Sequence, residues 1–203
     1  MPYKRMIVAI LLALTLALFA CAEPAAENAP AAEPAGEGAV CEDVDESEDG
    51  TIVGFGDFTT KDVDGNDVDQ TIFAKAKLTV FNVWGTFCGP CIAELQDFAE
   101  LQAQYAEKGV QFVGLVGDVN AAEDGLTEEQ RAEVQDIIEK TGADYLHLLP
   151  SADLNRLVLQ YIQAYPTTTL IDADGNFVGE AYVGTQPVST WTKLFDDYLA
   201  SLA

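Results

Sequence analysis

The chain has 203 residues, with 34 acidic side chains against 10 basic ones and a single histidine, for a formal net charge of −24. A surface so negative argues against nucleic acid as a partner and against electrostatic adhesion to anionic lipid, because both need a positive face. It names no substrate; solubility and spacing from a negative membrane are its readiest uses.

The first twenty residues read as a processing signal. Lys4 and Arg5 form a basic start, and Met6 to Phe19 form an apolar run of 14 residues, too short for an ordinary membrane-spanning helix and suited to a secretory signal. Leu18-Phe19-Ala20 leads into Cys21, an arrangement that resembles a bacterial lipobox, in which Cys21 is lipidated and becomes the mature N-terminus. Simple cleavage near Ala20 or Ala22 is the alternative, and both place the protein outside the cytoplasm. Without the signal, 8 basic residues stand against 34 acidic ones, a net −26. Residues 21–50 are rich in Ala, Glu, Pro and Asp and offer too little apolar surface to offset ordering entropy, so they read as a tether with a reach on the order of 30 Å. Cys41 within it has no evident partner and is either a free thiol or half of an intermolecular disulfide. Residues 51–203 have the length of one domain with one core.

In that domain, Phe55 to Lys61 and Asp67 to Gln70 read as a hairpin around Asp64-Gly65-Asn66. Leu78 to Trp84 is a buried strand. Residues 89–107 form a helix whose apolar side carries Ile92, Leu95, Phe98, Ala99, Leu101 and Tyr105, and Val110 to Val116 is a second apolar strand. Thr127-Glu128-Glu129-Gln130 is a capping box opening a helix that Thr141-Gly142 stops. Tyr145 to Leu149 is a short strand, and Ser151 caps a helix through Tyr161. Thr167 to Ile171 and Asn176 to Val183, joined at Asp172-Ala173-Asp174-Gly175, form a second hairpin. Pro187 opens a last helix with Trp191, Leu194, Phe195, Tyr198, Leu199 and Leu202 facing one way. This order predicts an α/β sandwich about one mixed sheet.

The chemistry lies in Trp84-Gly85-Thr86-Phe87-Cys88-Gly89-Pro90-Cys91, a Cys-x-x-Cys between strand and helix. Unpaired N–H groups and the positive end of the helix dipole favour the Cys88 thiolate, and Cys91, one turn on, can resolve a mixed disulfide. Such a pair exchanges thiols and disulfides with no organic cofactor or metal; one Cys-x-x-Cys with one histidine is also short of the ligands a zinc site needs.

From Phe55 to Leu202 the chain resembles the thioredoxin superfamily, and within it the membrane-tethered TlpA and ResA group. The resemblance rests on Phe81 to Cys91, Glu94, Gly109 to Gly114, Tyr165-Pro166-Thr167-Thr168 and Asp172 to Gly175. It implies a thioredoxin-like three-layer sandwich, a central mixed sheet flanked by helices, with an added N-terminal hairpin. It also implies that Pro166 is a cis proline opposite the cysteines and that the Tyr165 backbone is free to pair with an extended substrate. Gly89 and Pro90 would set the geometry and the redox poise; Gly-Pro is the thioredoxin pair, which favours a reducing couple near about −270 mV over an oxidising one near about −120 mV. Asn82 stands where thioredoxin has a buried aspartate and cannot act as a base. Tethered relatives carry a glutamate three residues beyond the second cysteine, here Glu94, which would accept the Cys91 proton; the competing reading is an exposed first-turn acid favoured by the dipole.

Trp84 and Phe87 read as packing residues with a secondary role in substrate contact, and Tyr165 and Thr167 as groove residues, Tyr165 alternatively as a shield for the disulfide. His147 reads as structural, and Asp118, Glu123 and Asp124 as solvated acids. The reading is an extracytoplasmic, membrane-anchored and monomeric thiol–disulfide oxidoreductase that reduces protein disulfides and is recharged by an integral membrane thiol donor. By resemblance, its targets include apocytochromes, other redox proteins and oxidised-methionine repair enzymes. A disulfide-forming oxidase of the same fold and a non-catalytic binding lipoprotein are the alternatives.

Overall fold

The computed structural model describes residues 54–120 and 125–203. The signal segment, Cys21, the tether, Cys41, residues 51–53, Glu123 and Asp124 lie outside them.

Among the described residues, seven strands and four α-helices follow one another: β1 (Thr59–Lys61), β2 (Asp67–Asp69), β3 (Leu78–Trp84), α1 (Gly89–Tyr105), β4 (Val110–Val116), α2 (Glu128–Thr141), β5 (Leu146–Leu148), α3 (Ala152–Leu157), β6 (Thr167–Asp172), β7 (Tyr182–Val183) and α4 (Val188–Ser201). The main sheet runs β5-β4-β3-β6-β7. β3 is parallel to β4, pairing Leu78 with Val110, and antiparallel to β6, pairing Leu78 with Asp172. The sheet is therefore mixed, and β3, buried at all seven positions, is its centre. Such a strand needs cover on both faces, which is why it reads as an unbroken apolar run.

Alternation along β3 sends Leu78, Val80 and Trp84 to one face and Phe81 and Val83 to the other. On the first face Leu78 and Val80 pack with Phe98 and Leu101 of α1 and with Trp191 and Phe195 of α4, while Trp84 packs with Leu95 of α1 and Val134 of α2. On the second, Phe81 and Val83 meet Phe55, Phe58, Ile72, Phe73 and Leu154. The result is the three-layer sandwich.

The caps lie where the sequence puts them. Thr127 and Gln130 close the capping box reciprocally, Gly142 ends α2 with φ +70°, and the Ser151 side chain accepts from Leu154 N–H; each such cap contributes about 1 kcal/mol. The turn of each hairpin uses one device twice. In Asp62-Val63-Asp64-Gly65-Asn66 and Asp172-Ala173-Asp174-Gly175-Asn176 the first aspartate accepts from the backbone N–H groups two and four residues on and from the asparagine side chain. The first hairpin covers the outer edge of β5 through Val63 N–H to His147 O and Leu149 N–H to Lys61 O, leaving no long open edge there.

Several expectations need correction. The first strand begins at Thr59, not Phe55; Phe55 N–H bonds Gly175 O, and its ring sits among Phe58, Phe73 and Phe81. Residues Gln70–Lys75 form a 3-10 turn that pattern reading did not separate. The helix after Ser151 breaks at Val158, and Leu159–Tyr161 continue as a 3-10 turn. The strand expected over Asn176 to Val183 is reduced to Tyr182–Val183, because Gly179 takes φ +77° and turns the chain out of the ladder. Leu202, at 52% exposed, does not share the buried face of α4.

Behind the active loop, the buried Trp84 indole donates to His147 Nδ1 at 3.2 Å, and His147 Nε2 reaches Ala143 O at 2.9 Å. Those partners assign the ring proton to Nε2, and burial holds His147 down to about 4, so it is neutral. The bond needs Gly114, whose added Cβ would fall 2.3 Å from His147 Nδ1 and 2.9 Å from Trp84 Nε1. Gly114→Ala is expected to cost about 1–3 kcal/mol through overpacking and to lower Tm in thermal unfolding; an unchanged Tm would refute the requirement.

Candidate active site

The site begins where β3 ends. Cys88 is the N-cap of α1, with φ −91° and ψ 94°, and its Sγ accepts from Cys91 N–H at 3.2 Å. Gly89 and Pro90 fill the first helical positions, where a missing N–H costs nothing because no intrahelical acceptor exists there. Cys88 and Cys91 are joined, with S–S 2.07 Å and Cα–Cα 5.2 Å. Both sulfurs lie in largely buried residues, while Gly89 and Pro90 are exposed. The exposed side of the pair is thus the Gly-Pro turn.

The loop that delivers Cys88 is tied down by a residue expected to be solvated. Asp118 Oδ2 accepts from both the N–H and the hydroxyl of Thr86, each at 2.8 Å. Gly117 N–H bonds Trp84 O, which carries the β3–β4 pairing up to the loop. Asp118 is thus a positioning group; a carboxylate just after a strand, level with a Thr in the neighbouring loop, was its only trace in sequence.

Trp84 is 0% exposed and bonded to His147, so it supports the loop from below and has no surface to offer a substrate. This corrects its placement among contact residues. Phe87 is 73% exposed and meets the Tyr165 ring edge-on, centroids 5.9 Å apart. Tyr165 lies over Gly117, where an added Cβ would come 2.6 Å from its hydroxyl. The two rings make an aromatic ledge beside the cysteines.

The Tyr165–Pro166 peptide is cis, and Pro166 is buried. Thr167 departs from expectation. Alternation along β6 sends Thr168 and Leu170 toward α1 and Thr167 and Thr169 to the opposite face, where they border an apolar groove of about 540 Å³ with Val158, Phe177 and Val183. The Thr167 hydroxyl donates to Ala164 O at 2.8 Å. Thr167 thus stands on the wrong side of the sheet to touch a substrate at the cysteines. Asn82 is buried and donates to Thr168 Oγ1 at 2.9 Å, a neutral pair.

Glu94 is the buried acid, 3% exposed, on the stripe of α1 that carries Cys91, Leu95, Phe98 and Leu101. The exposed-acid reading is therefore overturned. Residues i and i+3 share a helix face, which puts the carboxyl one turn beyond Cys91. Gln186 N–H donates to Oε1 at 3.1 Å. Burial raises the carboxyl from 4.5 to about 7, with Asp97 adding to the rise; Gln186 N–H and the nearby Trp191 indole oppose it. Trp191 stands close enough to ease the charge, yet neither its Nε1 nor Glu94 Oε2 closes a hydrogen bond of ordinary geometry among the described residues. Gln186 and Trp191 carry no local sequence signal, because nothing in their own segment says what they meet.

A thiolate-favouring cap, a second cysteine one turn on and a carboxyl that titrates near neutrality can together move electrons and a proton between sulfurs. No group of three or more His, Cys, Asp or Glu placed to hold a metal ion occurs among the described residues.

The profile of the family described as Redoxin matches residues 48–194. The chain is 30% identical over 121 residues to the thiol-disulfide oxidoreductase ResA of Halalkalibacterium halodurans, covering 60% of this chain and 62% of that protein, less than two thirds of its length. It is 28% identical over 130 residues to the ResA of Bacillus thuringiensis strain Al Hakam, covering 64% and 67%. Among solved structures, a thioredoxin family thiol:disulfide interchange protein of Chlorobium tepidum TLS superposes with a TM-score of 0.58 at 25% identity, over 70% of this chain and 93% of the other. A second protein from Chlorobium tepidum, described as a putative DsbE, has a TM-score of 0.57 at 19% identity over 72% and 96%, a likeness of fold.

An acid that binds its proton more tightly folded than unfolded contributes stability below its unfolded value and loses it as pH rises toward the folded one. For Glu94 that window runs from 4.5 to about 7. Glu94→Gln should flatten this slope and, in denaturant unfolding of the disulfide form at pH 8, exceed the wild type by on the order of 3 kcal/mol. Parallel pH profiles for the two proteins would refute the buried titrating acid.

Proposed function

Because the chain belongs to the Redoxin family, and to the TlpA/ResA-like part of the thioredoxin superfamily, we propose that it is a thiol–disulfide oxidoreductase that reduces protein disulfides outside the cytoplasm. The observation that carries this reading is the bonded Cys88–Cys91 pair at the start of α1 with the buried Glu94 one turn beyond it.

In the reduced protein, the Cys88 thiolate attacks one sulfur of a substrate disulfide. A bond forms between Cys88 and that sulfur, the substrate S–S bond breaks, and the other substrate sulfur leaves as a thiolate that takes a proton. Cys91 then gives its proton to the Glu94 carboxylate and attacks Cys88 Sγ. The Cys88–Cys91 bond forms, the mixed disulfide breaks, and the second substrate sulfur leaves as a thiolate that takes a proton, so the substrate departs with two electrons and two thiols. A carboxyl with an affinity near neutrality suits this task, since it can accept the proton and release it again at the same pH.

Phe87, Tyr165, Gly89 and Pro90 offer the contact surface, with the Tyr165 backbone receiving an extended segment of the target. An integral membrane thiol donor returns the electrons. Lipidation of Cys21 anchors the protein to the outer face of the cell membrane, and residues 22–50 space the domain from it. A monomer suffices, because one chain carries both sulfurs and the acid.

The test is the equilibrium reduction potential of the purified full chain in thiol–disulfide buffers, read by alkylation of Cys88 and Cys91. A value near or below about −270 mV is the expected result, and one near about −120 mV would reverse the direction of transfer in favour of disulfide formation. Cys91→Ser should accumulate a mixed disulfide at Cys88, and Cys88→Ser should abolish turnover. Activity that survives Cys88→Ser would leave a binding module as the reading.

A further inference from the structure

We propose that Trp191 is a positioning residue for Glu94: its indole N–H is the second donor of a clamp whose first donor is Gln186 N–H, and together they hold the ionised carboxyl on the face it shares with Cys91. The clamp takes its use from the oxidoreductase reading, but its existence can be tested without it.

The argument starts from what each partner lacks. Glu94 Oε1 is served by Gln186 N–H at 3.1 Å, whereas Oε2 is buried with no partner among the described residues. The Trp191 Nε1 donor is buried in the same state, in a residue with no exposed surface. A buried donor and a buried acceptor each cost free energy when unmatched, and an ionised carboxyl costs most. The two belong together.

Trp191 is also fixed in place. Its ring lies 5.5 Å from Phe98, one turn beyond Glu94 on α1, 5.2 Å from Tyr182 of β7 and 6.3 Å from Phe195 of α4. Held between three aromatic rings from three elements, the indole has no route to solvent. Its N–H is a donor set before the negative charge arrives, the arrangement that stabilises charge with least reorganisation. Gln186 and Trp191 lie five residues apart across the start of α4, so a single segment grips both carboxyl oxygens.

The remaining groups around this carboxyl are few. Asp97 on α1 opposes its charge. Cys91 does not titrate while in the disulfide. Tyr145, just before β5, has a buried hydroxyl without a partner and senses the Glu94 charge. Tyr145 is the rival donor, and its ring is stacked on His147 at 4.7 Å.

The experiment follows the Glu94 side-chain carboxyl by carbon NMR in the purified full chain, disulfide form, across pH 5 to 9. The wild-type midpoint is expected near 7. Trp191→Phe should tighten proton binding about tenfold, moving the midpoint up by about one pH unit, while Tyr145→Phe leaves it in place. Should Trp191→Phe fail to fold, the wild type still decides. The Trp191 indole N–H resonance should titrate with the Glu94 midpoint and lose that titration in Glu94→Gln, while the Trp84 indole, bonded to neutral His147, stays flat. A flat Trp191 resonance, or a midpoint moved by Tyr145→Phe and not by Trp191→Phe, overturns the clamp. A purely structural Trp191 would lower Tm without moving the midpoint. A chain that fails to exchange thiols yet shows these shifts refutes the oxidoreductase reading alone; a chain that exchanges thiols without them refutes the clamp alone.

Discussion

A strand buried at every position must leave the sheet somewhere, and β3 does so in four residues, passing straight into the first turn of α1. Its backbone is paired with β6 up to Val83 and with β4 up to Trp84, so the chain emerges rigidly held, and Cys88 arrives at the helix N-terminus as the cap of that helix. The N–H of Cys91 already points at the Cys88 sulfur. A thiolate at that atom would meet a donor and the positive end of a 17-residue helix without rearrangement. The reactive character of the site is thus a property of the junction.

The surroundings keep that junction in place by matching polar groups in pairs, two of the pairs buried and the Thr86–Asp118 pair half-buried. Trp84 is bonded to His147, Asn82 to Thr168, and Thr86 to Asp118. Each pair links β3 or its loop to a different neighbour, β5, β6 and the end of β4 respectively. Matched buried groups specify an arrangement because any slip of register leaves them unpaired at a cost of about 1–3 kcal/mol each. Glu94 is different: an acid in the middle of an apolar stripe, held by a segment 92 residues away in the chain. Its affinity near neutrality is purchased with burial, which is a stabilising environment for the protonated carboxyl and a demanding one for the carboxylate.

Much of this was legible before any coordinates. β3, α1, β4 and α2 lie within two residues of the ranges that periodicity and capping indicate, since a long apolar run, a capping box and a terminal glycine act locally. Elements at the sheet's margin were less legible. Phe55 reads as strand by alternation, yet it belongs to a cluster of five phenylalanines whose members come from four distant segments. The Asn176 to Val183 segment has strand composition, but one glycine with positive φ lets it leave the ladder after a single bridge.

The amino-acid order by itself determined the cysteine spacing and its place at a strand-to-helix junction, because these depend on residues close in sequence; that Pro166 is cis was implied only by the resemblance to thioredoxin-like chains. Tertiary structure alone decided that Glu94 is buried and not an exposed first-turn acid, that Asp118 ties the loop, that Trp84 faces inward and that Thr167 faces away. Each of those outcomes depends on which remote segment is brought against the residue. Burial and hydrogen bonding, which set a carboxyl's charge and a side chain's access to a partner, are properties of the packed neighbourhood and have no value until the sheet and its two helical layers have closed.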